Sequence, residues 1–164
     1  MTSATRSTVE SEARGRQAQA PASAKLYCTF LVDGMLFGVG VNEVQEVIRF
    51  QEMTPIPLAP PFIRGLINLR GQIVTAVDVR RRLGLPDRPD GKEPMNVVIH
   101  AEDGPVSLLV DEIGDVIDVT DSEFETAPET LHGLTRQLIS GVYKLDGQLL
   151  RVLESRTTIG ADED

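Results

Sequence analysis

The chain has 164 residues, enough for one domain or two small ones in close contact. Hydrophobic residues make up 41% and charged residues 25%, the balance of a globular chain, and the net charge of -9 argues against nucleic acid as a partner, since phosphate binding needs a basic face. The single cysteine, Cys28, excludes an intrachain disulfide and favours a reducing compartment, and no apolar run approaches the ~20 residues of a membrane-spanning helix.

Residues 1–24 are rich in Ser, Thr, Ala, Gln and mixed charges, with almost nothing large and apolar, so a disordered tail is expected there. They contain no apolar signal core, which points to the cytosol. Residues 25–160 form the expected folded core, and 161–164 are a short acidic tail. Alternation predicts strands over 26–32 and 36–41, separated by the turn pair Asp33-Gly34. Apolar spacing at Val41, Val44, Val47 and Ile48 predicts a short helix over 41–48. Strands follow over 63–79, 95–101, 106–110, 116–119 and 139–153. They are punctuated by Arg70-Gly71, Asp90-Gly91, Asp103-Gly104 and Asp146-Gly147. A second short helix is predicted over 129–138.

The chain repeats itself. Ile63-Arg-Gly-Leu-Ile-Asn-Leu-Arg-Gly-Gln returns as Ile139-Ser-Gly-Val-Tyr-Lys-Leu-Asp-Gly-Gln, with Ile, Gly, Leu, Gly and Gln in the same places. Likewise Val41-Asn-Glu-Val-Gln-Glu-Val-Ile48 returns as Val110-Asp-Glu-Ile-Gly-Asp-Val-Ile117. Two units, near 26–80 and 95–157, predict a mainly β fold of two small five-stranded barrels packed together, with short helices and strands that can be exchanged between them. The copies differ at one hairpin tip. Asp146-Gly147 is a favoured tight-turn pair, whereas Arg70 in the same place is a poor choice for a left-handed position. A local rule broken without local gain marks Arg70 as a candidate site residue.

No catalytic constellation assembles. His100 and His132 lie apart, Cys28 sits on an alternating strand, and the nucleophile-elbow, phosphate-loop and dinucleotide motifs are missing. The acidic residues Asp111, Glu112, Asp115, Asp118 and Asp121 lack calcium-loop spacing. Asp111, Glu112 and Asp115 with a metal remain the one enzymatic alternative. Charge is also segregated. Residues 49–92 hold eight basic and four acidic side chains, while residues 93–135 hold eleven acidic and no basic ones. Opposite potentials on two faces suit a module that joins partners.

The blocks Phe37-Gly-Val-Gly-Val-Asn-Glu-Val-Gln-Glu-Val-Ile48, Thr54-Pro-Ile-Pro57, Pro61-Phe-Ile-Arg-Gly-Leu-Ile-Asn-Leu-Arg-Gly71, Leu109-Val-Asp-Glu-Ile-Gly-Asp-Val116 and Ile139-Ser-Gly-Val142 together resemble the CheW family of bacterial chemotaxis adaptors. The resemblance spans residues 26 to 157. It implies two SH3-like barrels, no catalysis and no cofactor. It also implies a cytoplasmic scaffold, monomeric in isolation, that links chemoreceptor tips to the histidine kinase CheA at arrays on the inner face of the membrane. By matching positions it implies receptor contacts at Val44 and Glu46, with Val39 and Val41 in the groove wall. Arg70 falls in the family's Asn-Leu-Arg-Gly block, and Gly65 and Gly71 match its backbone glycines. The kinase-facing surface is placed at Met53, Pro55 and Ile56. Thr75, where the family commonly has Pro, and Arg151, in a usually apolar strand, depart from the pattern. A barrel-type interaction module of another chemosensory-like pathway is the alternative.

Overall fold

The computed structural model describes residues 25–120, 124–126 and 137–159. The two predicted tails and most of the predicted helix over 129–138 lie outside them. Among the described residues eleven strands run in chain order: β1 (Lys25–Val32), β2 (Met35–Gly40), β3 (Val44–Ile48), β4 (Ile63–Leu69), β5 (Gln72–Asp78), β6 (Met95–Ile99), β7 (Val106–Val110), β8 (Glu112–Val119), β9 (Phe124–Thr126), β10 (Ile139–Leu145) and β11 (Gln148–Leu153). Short helices α1 (Val79–Arg82) and α2 (Ser155–Thr158) follow the two matching hairpins. Asp78 caps α1 by accepting from the Arg80 amide, and Glu154 caps α2 in the same way from Arg156. Asp78 and Glu154 hold the same place in the two copies, so the duplication extends into these helices.

Each sheet takes strands from both copies. One sheet is ordered β8-β1-β2-β11-β10-β9, the other β3-β6-β7-β5-β4. The first hairpin of each copy therefore packs beside the second hairpin of the other, through the parallel pairs β2–β11 and β5–β7. The five-stranded plan recurs, with β9 added as a sixth strand at the edge of the first sheet. In the second sheet the chain after β3 crosses to the opposite edge, where Thr54 and Leu66 exchange two backbone hydrogen bonds of 2.8 Å. That closes a small barrel. β9 takes the matching path after β8 and pairs with β10.

Strand alternation explains the core. Cys28, Phe30 and Val32 of β1, and Val97 and Ile99 of β6, face a large shared core between the sheets. Tyr27 of β1 and Val98 of β6 face the interiors of their own barrels. Both faces of these strands are covered, which is why Val97-Val98-Ile99 reads as an unbroken apolar run.

Crossing strands need room. A Cβ on Gly65 would stand 2.5 Å from the Thr54 carbonyl oxygen, and one on Gly141 would stand 2.6 Å from that of Glu125. The two glycines are repeat equivalents, and each lets a closing segment cross its hairpin. Gly65→Ala and Gly141→Ala should each lower stability by about 2–4 kcal/mol, because backbone must move to admit the methyl group. Urea midpoints check this. Gly71→Ala, where nothing lies within 4 Å, should cost only the strain of its positive φ, about 1 kcal/mol.

Candidate functional site

Residues 41–48 are not a helix. A single 3-10 turn, Val41–Glu43, leads directly into β3, which pairs with β6 from Val44↔Ile99 to Ile48↔Asn96. A bulge between Val44 and Glu46 turns both Val44 and Val47 toward the shared core, where Val41 also packs. The bulge thus produces the spacing of three that imitates helical periodicity. Glu43 fixes the turn: its carboxylate accepts from the Gly40 amide at 3.0 Å and from the Ser155 hydroxyl of α2, and its carbonyl accepts from the His100 amide.

The β4–β5 tip carries the sequence anomaly into the structure. Arg70 has φ 56° and Gly71 φ 88°. Asn68 Oδ1 accepts from the Gly71 amide at 2.8 Å and braces the turn. A left-handed Arg costs roughly 1–2 kcal/mol. The other tip does not share this strain, since of Asp146 and Gly147 only Gly147 has positive φ. The Arg70 guanidinium makes a two-point contact with Glu46, Nη1 donating to Oε2 at 3.2 Å and Nη2 lying 3.0 Å from Oε1. Arg70 is 77% exposed at its side chain and Glu46 is 18% exposed. The pair spans the seam where the barrel closes and presents a guanidinium to solvent over a half-sheltered carboxylate.

The other predicted site residues fall in different places. Val39 is completely buried in the shared core, so it cannot form a groove wall; its alternation on β2 points it inward. Val41 and Val44 are half-buried against that core. Val44→Asp is therefore expected to lower the denaturation midpoint as well as binding, which circular dichroism during a urea titration checks. Met53 packs inside the second-sheet barrel, Ile56 is half-buried and Pro55 is exposed. Beyond them the fully exposed Leu58 has φ 65°, an apolar side chain held out on a Pro-bracketed loop that sequence reading passed over. Gly65 serves the strand crossing and Gly71 the turn. Thr75 lies half-buried on β5. Arg151 is accommodated with its guanidinium 5.9 Å from the centre of the Phe37 ring.

The acidic residues weighed as a metal site do not assemble. Asp111 is saturated by Arg80 (Nη2 at 2.6 Å and Nε at 2.9 Å), Arg88 (Nε at 2.8 Å) and the Asp33 amide (2.7 Å), whereas Glu112 and Asp115 are exposed. Desolvation opposes ionisation of Asp111, but these donors outweigh it and hold the carboxyl at about 2. Asp78 joins the cluster through Arg64 at 3.0 Å and Arg88 at 3.8 Å. Among the described residues, no group of three His, Cys, Asp or Glu side chains is placed to hold a metal ion. Burial pushes the Cys28 thiol up, as befits a core residue. His100 is exposed, and His132 lies outside the described residues.

The model of the CheW-like domain matches residues 26–162. The chain belongs to the CheW family. It is 34% identical over 130 residues to the chemotaxis protein CheW of Bacillus subtilis, covering 79% of this chain and 83% of that one. It is 27% identical over 139 residues to CheW of Treponema pallidum, covering 82% of each. The crystal structure of a scaffolding CheW protein from Thermoanaerobacter tengcongensis superposes with a TM-score of 0.72 at 27% identity, covering 79% of this chain and 88% of that one. The CheW fold thus accounts for the two-sheet architecture, and the chain is a chemotaxis adaptor of this family. Among its described residues, no helix is long and apolar enough to cross a membrane.

Proposed function

We propose that this CheW-family chain is a non-enzymatic coupler that joins the cytoplasmic tip of a methyl-accepting chemoreceptor to the histidine kinase CheA, working in the cytoplasm at arrays on the inner face of the membrane. The observation that carries the receptor half is the Glu46–Arg70 pair. It holds an exposed guanidinium at a strained tip, beside the β3 strand that also carries Val44, where a receptor helix would meet apolar and charged surface together. Strain retained at an exposed position is compatible with a binding role. Glu46, Arg70 and the exposed edge of Val41 and Val44 form the receptor face in this reading. The Pro55–Ile56 segment, with Leu58, forms the kinase face.

Co-sedimentation tests the proposal. Purified kinase should pellet with receptor-bearing membranes only when this chain is added. Kinase that pellets equally without it, or a chain that stays in the supernatant, contradicts the coupling role.

A further inference from the structure

Strand register lets the two halves be compared residue by residue. Cys28 pairs with Val39 across β1 and β2 as Val97 pairs with Leu108 across β6 and β7. Ile48 pairs with Asn96 as Ile117 pairs with Tyr27. The parallel joints agree too, Val152 beside Gly38 and Ala76 beside Ser107. On this correspondence Glu154 matches Asp78, Asn42 matches Asp111, Ser140 matches Arg64 and Lys25 matches Pro94.

In one half, residues 83–94 connect α1 to β6, and Arg88 of that connection plugs the junction. Its side chain is 7% exposed, its Nε donates to Asp111 at 2.8 Å, and its Nη2 lies 3.8 Å from Asp78. In the other half residues 1–24 lead into β1, and the equivalent place is an open groove of about 660 Å³ lined by Lys25, Asn42, Ser140 and Glu154. Glu43 also lines it, but its carboxylate is engaged by the Gly40 amide and the Ser155 hydroxyl. Glu154 caps its helix as Asp78 does, yet it is exposed where Asp78 is buried. Among the described residues no lysine or arginine pairs with Glu154, whereas Arg64 and Arg88 both approach Asp78.

We infer that residues 14–24 of this chain dock back into this groove and set an arginine of Arg14-Gly15-Arg16 against Glu154, as Arg88 is set against Asp78. The segment reaches the groove at Lys25, which itself lines it. Arg16 precedes Lys25 by nine residues and Arg88 precedes Pro94 by six, so the chain is long enough. From Arg14 to Lys25 there are three cations and no acid, which complements the carboxylate. The composition of residues 1–24 predicts no fold of their own, and docking of this kind needs none. One exposed ion pair is weak, but the tether keeps the arginine at high effective concentration. Asn42 stands where Arg88 finds Asp111, so this plug meets one carboxylate instead of two. It is displaceable, whereas Arg88 sits in a connection fixed at both ends. Docked, the segment covers the groove beside the Val41–Glu43 turn that leads into β3.

Paramagnetic broadening in the full chain tests this. A nitroxide on Gln17→Cys, with Cys28 buried in the core, should broaden the amides of Asn42, Ser140 and Glu154 and spare the Arg70 tip. Two variants should each weaken that broadening about threefold or more, as should high salt. One is Glu154→Gln, which keeps an acceptor for the cap. The other is Arg14→Ser/Arg16→Ser, which alters no residue of the two sheets. Even broadening over all faces, or groove broadening that survives both variants, would overturn the inference. So would groove broadening in a mixture of unlabelled nitroxide chain with isotope-labelled chain lacking the nitroxide, because the occupant would then be a second copy. None of these outcomes depends on the receptor or kinase assignment.

Discussion

Replacing Asp111 by alanine is expected to lower unfolding free energy by about 3–5 kcal/mol, the usual cost of removing one partner from a buried charge cluster. Arg80 and Arg88 are 9% and 7% exposed at their side chains and would lose their principal carboxylate together. Asp111 follows β7 of one sheet and precedes β8 of the other, and its amide donates to Leu31 at 2.9 Å. The Asp33 turn and Arg80 of α1 both meet its carboxylate, so its loss loosens the junction between the barrels. The pH dependence has a definite sign. The carboxyl titrates at about 2 in the fold and about 4 in the unfolded chain. Its contribution is complete above pH 4 and declines as pH falls from 4 to 2. The variant should have a lower urea midpoint at pH 7 and a shallower loss of stability over that acid range. A variant as stable as the parent would show that the cluster contributes nothing net.

Reversing Arg70 to glutamate should move stability far less and function far more. The lost ion pair is largely exposed on the arginine side, so it contributes at most about 1 kcal/mol. A partner carboxylate that meets this guanidinium in a desolvated interface would lose about 2 kcal/mol, roughly thirtyfold in affinity. The exchange Glu46→Arg/Arg70→Glu separates the two roles. It restores an ion pair across the seam but presents the opposite charge to a partner. The expected result is near-parental stability with receptor affinity still reduced. Recovery of both would make the pair a structural clasp alone.

Much of this was legible in the residues, for identifiable reasons. The hairpins and their tips follow from alternation and turn pairs, and the duplication foreshadowed two related sheets. Arg70 stood out because its residue type conflicts with its turn, and the structure puts it at φ 56°. The helix over 41–48 failed because a bulge reproduces its spacing, and periodicity cannot distinguish the two. Val39 was misplaced because a motif position does not report which face of a doubly covered strand it occupies. The Asp78–Arg88–Asp111 cluster was invisible because it joins residues 78, 88 and 111 through the exchanged topology. One clue was available: the acidic residue ending each matched hairpin, Asp78 and Glu154, is a helix cap.

Kinase autophosphorylation in a mixture of receptor membranes, CheA and this chain tests the central claim most directly. The parent chain should raise the rate and make it respond to receptor ligand. The Arg70→Glu chain, with its unfolding free energy within about 1 kcal/mol of the parent, should leave the kinase near its uncoupled rate. A parent chain that leaves the rate unchanged, or an Arg70→Glu chain that couples fully, would contradict a receptor-to-kinase coupler working through the Glu46–Arg70 surface.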